Sequence, residues 1–359
     1  MSNQPEQKKN KRKWLIPVCI VLGILLTLLA VFAVFYGIYD HYYDKMGHIG
    51  SEGTVDPNQA GSVLESILQS EAEDPEEGTT EPLTDPTYDP NDVTINPGDV
   101  DQTQGDHIVN ILLVGQDARE GEERQRSDSM MLVTFNTKSK EITLTSFMRD
   151  QYVEIPGYGS TKLCHAYKYG GMSLLNETLY NHFGVEIHGN FEVDFTGFER
   201  IIDLLGGVEI DLTEPEVEYL HEKGYKHLTV GKNILAGEEA LWYARLRSID
   251  TDYNRAERQR NVITSVINAY KGQSYGKMVS MLDEILPLLK TNMSKGDILK
   301  YATKLFPMVY GAEINTLRIP MEGTYDGGFV KVWEGMTLWC QLNIDFEANR
   351  EVLEEIFAP

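Results

Sequence analysis

The sequence predicts an α/β layered domain with a central sheet, and three observations support this prediction. Residues 107–359 have the composition of a globular domain of about 250 residues, long enough to bury a full core. Apolar runs typical of strands alternate along this part of the chain with segments of helical periodicity. One run, residues 109–114, is mostly apolar and ends at Gly115, as expected of a buried central strand.

The remaining elements follow in chain order from the period of their apolar residues. The predicted strands are residues 109–114, 130–135, 142–147, 191–195, 208–212 and 315–319. The predicted helices are residues 172–183, 196–205, 236–246, 253–270, 278–289, 295–306 and 346–356. No second domain boundary follows residue 107.

The N-terminus combines a basic segment with a long uncharged apolar run. Residues 14–35 carry no charge and follow five basic side chains: Lys8, Lys9, Lys11, Arg12 and Lys13. At ~1.5 Å per residue such a helix spans ~33 Å, close to one bilayer core, whereas a cleavable signal peptide has an apolar region of about 7–15 residues. We therefore expect a cytoplasmic tail (1–13), an uncleaved transmembrane helix (14–36) and a single-pass membrane protein whose remainder lies outside.

Residues 37–106 have the composition of a solvated spacer. Residues 40–106 contain 17 Asp and Glu side chains, one lysine and repeated Asp-Pro and Asn-Pro pairs. High charge of one sign with few apolar residues opposes a packed core, so we expect an acidic disordered tether. A transient helix is possible around Leu64, Ile67 and Leu68. The tether supplies most of the formal net charge of −23.

Arginines concentrate in two short windows of this acidic chain. Nine of the 13 arginines fall there: Arg119, Arg124, Arg126, Arg149, Arg245, Arg247, Arg255, Arg258 and Arg260. Aspartates are interleaved with them. The planar fork of arginine fits phosphate, and nearby carboxylates can hold a hard cation against that phosphate. The pattern indicates a local anionic ligand rather than nucleic acid, which would need a basic surface overall.

The charged residues fall at the ends of predicted elements. Asp117 follows the first strand of the domain, Asp128 precedes the second, and Arg149 follows the third. Arg255 and Gln259 share one face of the predicted helix 253–270, together with Arg258. Any one such residue is typical of a surface salt bridge. Their joint placement beyond strand ends, where α/β sheets bind ligands, favours a site.

Six segments resemble the motifs of the LytR–CpsA–Psr family, in the family's order. They are residues 111–119 (ILLVGQDAR), 126–129 (RSDS), 146–150 (SFMRD), 162–167 (KLCHAY), 193–198 (VDFTGF) and 243–247 (YARLR) with 254–259 (NRAERQ). Two positions depart from the family pattern. Met148 stands where many members have proline, and Cys164 stands where a polar residue is common.

The resemblance implies a three-layer sandwich with a central mixed sheet flanked by helices, anchored by one transmembrane helix in a Gram-positive bacterium. It implies a phosphotransferase that moves a glycopolymer from a polyprenyl-pyrophosphate carrier onto the C6 hydroxyl of N-acetylmuramic acid in peptidoglycan. Wall teichoic acid, capsule and other wall glycans stay open as the polymer. The expected partners are the lipid-linked glycopolymer, peptidoglycan and the membrane, and not nucleic acid.

The resemblance also assigns roles to residues. Asp117 and Asp128 would bind Mg²⁺, with Mn²⁺ as an alternative. The pyrophosphate would be held by Arg126, Arg149, Arg245, Arg247, Arg255 and Gln259. The expected catalytic residues are Asp117, Asp128, Arg126, Arg149 and Arg255, since phosphoryl transfer depends on positioning and charge stabilisation. Supporting roles fall to Arg119, Asp150, Lys162, Asp194 and Asp252. The general base stays open between Asp128 and a metal-bound water.

Two other classes stay open: a hydrolase of polyprenyl-pyrophosphate glycans, and a non-catalytic glycopolymer-binding or regulatory protein. Cys164 and Cys340 could form a disulfide or remain buried thiols. His182 and His188 are expected in loops or on the surface. Four apolar stretches are expected in the core, and some of them could line a tunnel for the polyprenyl tail: residues 174–179, 201–205, 278–289 and 298–309.

Overall fold

The computed structural model describes residues 40–49, 53–73, 85–100, 104–116, 126–309, 311–333 and 336–359. The chain divides into two compact units, residues 1–45 and 46–359. In the first unit residues 40–43 are helical, and the Lys45 amide donates to the Tyr42 carbonyl at 3.3 Å. No helix of the described ranges is long and apolar enough to cross a bilayer. The predicted transmembrane helix, residues 14–36, lies outside those ranges.

The second unit contains fourteen strands and nine helices within the described residues. The strands are β1 (Gly47–His48), β2 (Thr87–Tyr88), β3 (Ile108–Gln116), β4 (Ser127–Asn136), β5 (Glu141–Phe147), β6 (Tyr152–Ile155), β7 (Gly159–Lys162), β8 (Gly189–Val193), β9 (Val208–Leu212), β10 (Gly231–Leu235), β11 (Lys290–Thr291), β12 (Glu313–Ile319), β13 (Asp326–Trp333) and β14 (Met336–Leu342). The helices are α1 (Ala60–Glu73), α2 (Leu163–Phe183), α3 (Phe195–Leu205), α4 (Glu214–Glu222), α5 (Gly237–Arg245), α6 (Asp252–Lys271), α7 (Tyr275–Ile285), α8 (Lys295–Val309) and α9 (Phe346–Phe357).

A seven-stranded mixed sheet forms the centre, in the order β1-β11-β8-β3-β4-β5-β12. The pairs β1–β11, β8–β3 and β5–β12 are parallel. The pairs β11–β8, β3–β4 and β4–β5 are antiparallel. The sheet is therefore mixed, as the family resemblance implies.

Helices cover both faces of this sheet because successive apolar residues of its strands point alternately to one face and to the other. On β3, Ile108 and Leu112 pack with α2 and α9 in one core, whereas Val109 and Ile111 pack with α6 and α8 in the other. Two successive side chains of a strand point to opposite faces, so a continuously apolar strand serves both cores. The three-layer arrangement predicted for the domain is confirmed.

A side lobe, residues 195–245, builds a separate core on the α6 flank of the sheet. It consists of α3, α4, α5 and the antiparallel pair β9–β10. Its buried residues, among them Ile202, Leu220 and Tyr243, pack against Val262 of α6. Helix α6 thus contacts the central sheet on one side and the side lobe on another.

From Met46 onward, several described segments of the range predicted as a tether pack on the domain. Strand β1 pairs with β11, β2 pairs with β13, and Ile67 of α1 is only 4% exposed. The Val55 amide donates to the Tyr169 carbonyl at 2.8 Å. A few apolar residues spread through the acidic segment find partners on the domain, which the segment's own composition does not reveal.

Most element boundaries differ from the sequence prediction by a few residues, and two of the differences have a clear local cause. Strand β8 ends at Val193 and Phe195 already begins α3, because the Asp194 carboxylate accepts a hydrogen bond from the Gly197 amide at 2.8 Å and caps the helix. Helix α2 begins nine residues before the predicted 172–183 segment. Gly171, with φ of +63°, interrupts its helical conformation and hides the first half from a periodicity search.

Candidate functional site

A cavity lies between the central sheet, α6 and the side lobe. Its cavity volume is about 250 Å³, and it opens to solvent. Along α6 its wall changes from Arg255 and Gln259 to Ile263 and Val266. These side chains share one helix face and span ~16 Å along the axis. The cavity therefore has a polar end and an apolar body.

The apolar body is lined by the sheet, the side lobe and the segment before β11. Its walls include Leu113, Met131, Phe191, Phe198, Ile201, Ile202, Leu241, Ala244, Ile263, Val266 and Leu289. Two of the four apolar stretches named from the sequence, 201–205 and 278–289, contribute to this wall. The stretch 174–179 packs instead against the opposite sheet face, where Leu175 and Leu179 are fully buried.

At the polar end Arg245, Arg247 and Arg255 line the cavity, and Arg126 and Arg149 lie near Asp128 of its wall; we call these five residues the arginine cluster. Asp252, the first residue of α6, binds two of its members through one oxygen. Its Oδ1 lies 3.0 Å from Arg247 Nη2 and 2.8 Å from Arg255 Nη2. Asp252 thus fixes a loop arginine against a helix arginine, and both of these line the cavity.

A second set of ion pairs links the cluster to β5 and α2. Arg149, two residues after the end of β5, donates through Nη1 to the carboxylate of Asp128. Asp150 accepts from Lys162, whose Nζ lies 2.6 Å from its Oδ1, and Arg149 Nε lies 3.6 Å from the same oxygen. Arg149 is 4% exposed and Lys162 is 6% exposed. These buried pairs hold the side chains in fixed positions.

The electrostatics of the site are dominated by the arginines. Burial alone would raise the pKa of Asp128, but attraction by Arg149 and by the other arginines lowers it to about 2. Burial likewise opposes the charge of Asp150, yet Lys162 and Arg149 hold its pKa well below the usual range. Both carboxylates are therefore ionised near neutral pH.

The arginines also repel one another. Burial, and then the neighbouring Arg247, lower the pKa of Arg255 to about 10. The buried Nε atoms of Arg247 and Arg255 have no hydrogen-bond acceptor among the described residues. Buried donors normally have partners, so the unmet donors and the excess of positive charge fit an anion with several acceptor oxygens.

Three further contacts shape the polar end. Ser129 Oγ donates to Gln259 Oε1 at 3.0 Å, which fixes the amide and leaves its NH₂ group to donate elsewhere. The Arg245 guanidinium lies 4.5 Å from the centre of the Phe195 ring. Asp194 lines the cavity and caps α3, so it supports the wall of the site.

Not every arginine of the two windows belongs to this cluster. Arg258 binds Asp250 at 2.6 Å, Glu216 at 3.3 Å and the Leu246 carbonyl at 2.7 Å. The sequence predicts that Arg258 shares a helix face with Arg255, but in the structure its ion pair with Glu216 connects α6 to the side lobe. Arg260 donates to Ser146 Oγ at 3.0 Å, away from the cavity wall. Asp117 and Arg119 lie outside the described residues.

The described side chains near the arginine cluster include few ligands for a metal ion such as Mg²⁺. No group of three or more His, Cys, Asp or Glu side chains in the described ranges could hold an ion by itself. Mg²⁺ usually takes one or two protein carboxylates and completes its shell with phosphate oxygens and water. Asp128, ionised and beside the arginine cluster, provides one hard oxygen donor of that kind. Among the named candidate ligands only Asp128 is described, so a metal bound there would take most of its ligands from pyrophosphate and water.

Other side chains named from the sequence have structural positions. Cys164 and Cys340 are buried thiols that form no disulfide with each other, and burial raises the pKa of Cys164 to about 12. His182 is not on the surface as expected: it is 3% exposed within α2 and its Nδ1 lies 2.8 Å from the Thr178 carbonyl oxygen. His188 lies in the loop before β8, as predicted.

Sequence reasoning missed Ser129 and most of the apolar wall. Ser129 stands beside Asp128 in a motif segment, so adjacency to a predicted ligand was the available signal. Ile263 continues the Arg255 and Gln259 face of α6, which the helical period could have shown. Phe198 and Leu241 belong to the side lobe, whose packing against α6 no local pattern reveals.

Comparison with known proteins gives relatives with the same fold. The polyisoprenyl-teichoic acid–peptidoglycan teichoic acid transferase TagT of Bacillus subtilis (strain 168) is 36% identical over 212 residues, 57% of this chain and 65% of TagT. The match thus spans just under two thirds of that relative's length.

Two solved structures extend the likeness to most of the domain. A structure of TagT bound to LIIa-WTA aligns with a TM-score of 0.57 and 28% identity, covering 73% of this chain and 93% of that one. A structure of the family protein YwtF (TagT) with bound octaprenyl pyrophosphate lipid aligns with a TM-score of 0.53 and 26% identity, over the same shares of the two chains.

The family itself is identified by a match over most of the sequence. Residues 75–341 match the LytR_cpsA_psr family. This range contains the central sheet from β3 onward, the cavity and the arginine cluster. The chain belongs to the LytR–CpsA–Psr family.

Proposed function

We propose that this protein is a membrane-anchored, Mg²⁺-dependent phosphotransferase that moves a glycopolymer from a polyprenyl-pyrophosphate carrier onto N-acetylmuramic acid of peptidoglycan. The observation that carries the proposal is an arginine cluster at the polar end of an apolar cavity. A pyrophosphate attached to a prenyl tail has the same two-part chemistry. The names of the relatives and the bound octaprenyl pyrophosphate of one of them support the assignment.

The ligand has an orientation dictated by the cavity. The prenyl tail occupies the body between Phe191, Ile201 and Ile263, where burial of apolar area is favourable. The pyrophosphate lies at the polar end, where Arg247 and Arg255 offer unmet donors. Gln259, its carbonyl held by Ser129, donates through its NH₂ group. The glycopolymer then extends away from the apolar body.

The transfer breaks the bond between the phosphorus that carries the glycan and the bridging oxygen of the pyrophosphate. The acceptor hydroxyl attacks that phosphorus in line with the departing lipid phosphate. Arg149, Arg247 and Arg255 stabilise the charge that grows on the departing phosphate. Asp252 keeps two of these guanidinium groups in place, so the cluster needs little rearrangement during the reaction.

Asp128 is better suited to hold charge than to remove a proton. A pKa of about 2 makes its carboxylate a weak base for the acceptor hydroxyl. Asp128, with Asp117, would hold Mg²⁺, which would neutralise the pyrophosphate and polarise its oxygens. The basic tail and the apolar run of the N-terminus would keep this site outside the cell, next to its membrane-embedded carrier.

The test is transfer of a lipid-linked glycan to peptidoglycan oligomers by the detergent-solubilised full chain. Asp117→Ala, Asp128→Asn and Arg255→Ala are each expected to lower kcat, by ~10²–10³ where a preorganised charge partner of the transferred group is lost. Arg200→Ala is the matched control, because Arg200 forms a surface pair with Glu284 and lies outside the cluster. It is expected to retain full activity.

The same assay separates the proposal from its alternatives. Release of lipid phosphate without glycan transfer would identify a hydrolase. Tight binding of the lipid-linked glycan without turnover would identify a binding or regulatory protein. Either result from the unmodified chain, with Mg²⁺ and an acceptor present, contradicts the transferase assignment.

A further inference from the structure

We propose that Tyr253, Tyr325 and Arg318 form the acceptor subsite, where a muramoyl peptide binds beside the arginine cluster and opposite the apolar cavity. The inference rests on the proposed transferase function, because it assigns the second substrate of that reaction. It concerns a surface that the pyrophosphate and the prenyl tail do not use.

The patch adjoins the cluster but lies outside the cavity wall. Tyr253 directly follows Asp252, the residue that binds Arg247 and Arg255. Tyr253 and Arg255 are two residues apart on α6, so their side chains point ~200° apart around the helix. Tyr253 accordingly does not line the cavity, whereas Arg255 does.

A short series of contacts connects the patch to the ion pairs of the site. Gln341 Nε2 donates to the hydroxyl of Tyr253 at 3.3 Å. The Gln341 amide donates to the carbonyl oxygen of Asp150 at 2.9 Å. Asp150 in turn binds Lys162 and lies beside Arg149. The patch is therefore held against the far side of the cluster by a buried residue of β14.

The patch itself combines aromatic rings with guanidinium groups. The Arg318 guanidinium lies 3.9 Å from the centre of the Tyr253 ring, and the Tyr253 and Tyr325 rings are 6.1 Å apart. All three side chains are half-buried. Such a surface offers flat apolar faces for a sugar ring together with hydroxyl and guanidinium donors for its substituents.

Arg318 has no carboxylate partner within 4.0 Å among the described residues. It lies opposite Ser146 in the β12–β5 pair, and Ser146 accepts from Arg260. Burial is the main cause that lowers the pKa of Arg260. Attraction by Glu257 opposes this shift, and repulsion by the nearby Arg318 adds to it. Within the described part of the chain, neither Arg318 nor Arg260 forms an ion pair, and a ligand carboxylate would complement these two guanidinium groups.

The geometry of the displacement indicates that the acceptor substrate binds at this patch. An in-line displacement brings the entering hydroxyl to the phosphorus on the side opposite the leaving group. The leaving polyprenyl phosphate is attached to the tail in the apolar cavity, so the acceptor approaches from the patch side. A muramic acid residue carries its stem peptide on a lactyl group, and a carboxylate of that peptide would meet Arg318.

Binding of a small acceptor fragment to the full chain tests the subsite without requiring turnover. The probe is N-acetylmuramoyl dipeptide, and the matched probe has its carboxylate converted to an amide. Isothermal titration calorimetry gives both Kd values for the unmodified chain and for Arg318→Gln, Arg318→Lys and the control Arg200→Gln. The thermal midpoint of each variant reports whether the fold is kept.

Arg318→Gln is expected to weaken binding of the acidic probe by ~10-fold or more, because a charge-assisted hydrogen bond is lost. The amidated probe should bind the unmodified chain and Arg318→Gln equally weakly, and Arg318→Lys should recover part of the affinity. Affinity for octaprenyl pyrophosphate should stay unchanged in Arg318→Gln.

Equal affinity for the acidic and amidated probes would overturn the subsite, as would no measurable binding or a loss of octaprenyl pyrophosphate affinity in Arg318→Gln. A chain that binds the probe as expected but performs no transfer would instead contradict the proposed function. The two failures therefore give different results.

Discussion

At the scale of single residues, the aspartates of the site arrange the arginines rather than cancel them. Asp252 binds Arg247 and Arg255 through one oxygen, and Asp150 is shared by Lys162 and Arg149. Each carboxylate thus orients two cations, and the cluster keeps an excess of positive charge for its ligand. Arg258 shows the contrast, because the two carboxylates of Asp250 and Glu216 pair with this one guanidinium and it serves the fold.

Ser129→Ala is expected to raise the KM for the lipid-linked donor by ~2–10-fold with little change in kcat. The Ser129 hydroxyl fixes the Gln259 amide, and a typical hydrogen bond contributes ~0.5–1.5 kcal/mol. Steady-state transfer kinetics measure the effect. Ser129→Thr should restore the donor KM, and Ser265→Ala, which removes a bond to the Glu209 carbonyl, should leave it unchanged. An unaltered KM in Ser129→Ala would show that Gln259 needs no support.

The stability of the domain is expected to fall as the pH drops from about 7 towards 5. Burial lowers the pKa of His188, although Glu186 opposes the shift, and burial also lowers the pKa of His182. Below its ordinary pKa of 6.5 each imidazole takes up a proton in the unfolded chain before it does so in the folded one, which favours unfolding. The backbone amide of Asn110 donates to Nδ1 of His188 at 3.1 Å, and this bond requires an unprotonated nitrogen.

Thermal unfolding measured across this pH range tests the effect. His188→Gln keeps an acceptor at the position but cannot titrate, so its midpoint should depend less on pH than that of the unmodified chain. An identical pH dependence in both proteins would exclude His188 as a source of acid sensitivity.

At the scale of elements, the close approach of α3 and α5 shapes one wall of the cavity. The Gly237 amide, at the start of α5, donates to Asp203 of α3 at 2.8 Å. A Cβ atom at position 237 would lie 2.2 Å from the Glu199 carbonyl oxygen, which belongs to the backbone and cannot turn away. The two helices can pack this closely only because residue 237 is glycine.

Gly237→Ala is therefore expected to lower the free energy of unfolding by ~1–3 kcal/mol, the usual cost of overpacking. Urea unfolding followed by circular dichroism measures it. Gly276→Ala is the matched control, since nothing lies within 4 Å of its Cβ and alanine favours the helix α7. It should be neutral or slightly stabilising. Equal midpoints for the two variants would mean that α3 and α5 separate without cost.

Elements with an uninterrupted apolar period were predictable from the sequence, and short ones were not. Strand β9 has the predicted bounds, and α6 differs from them by one residue at each end. Strands β6 and β7 have four residues each, and β1, β2 and β11 have two, too few to show a period. These strands exist because distant segments pair with them.

The candidate site was predictable in its charges and not in its walls. Arg126, Arg149, Arg247 and Arg255 stood out because arginines concentrate in two short windows of an acidic chain. The packing of Phe198 and Leu241 against α6 depends on how the side lobe folds back, which no local pattern encodes. The structural role of Arg258 was equally unpredictable, because its partner Glu216 is distant in the sequence and its partner Asp250 lies in the loop before α6.

At the scale of the whole molecule, described residues between positions 46 and 100 of the acidic segment are part of the domain's structure. Met46 is 6% exposed and Ile67 is 4% exposed, and Val93 and Ile95 pack beside β13 and β14. The high negative charge of the segment conceals these few anchoring positions from a composition argument. A boundary at residue 107 would cut through packed structure.

A chain that begins at Gln104 is expected to be less stable than one that begins at Met46. Loss of Met46 and Ile67 alone removes two buried apolar side chains, each contributing about 1.5–3 kcal/mol. Urea unfolding of both proteins measures the difference, and dye binding reports the apolar surface left on β13 and β14. Matching urea midpoints would show that residues 46–103 lie on the domain without stabilising it.

The cavity lies where two hydrophobic cores meet, one between sheet and helices and one inside the side lobe. Ile263 belongs to the first core and Ile202 to the second, and both face the same empty space. A prenyl chain in that space would serve as a removable piece of the protein interior. Binding of the lipid would then also stabilise the fold, since a ligand that binds only the folded protein raises the free energy of unfolding by RT ln(1 + [L]/Kd). The lipid-bound protein would therefore resist unfolding better than the empty one.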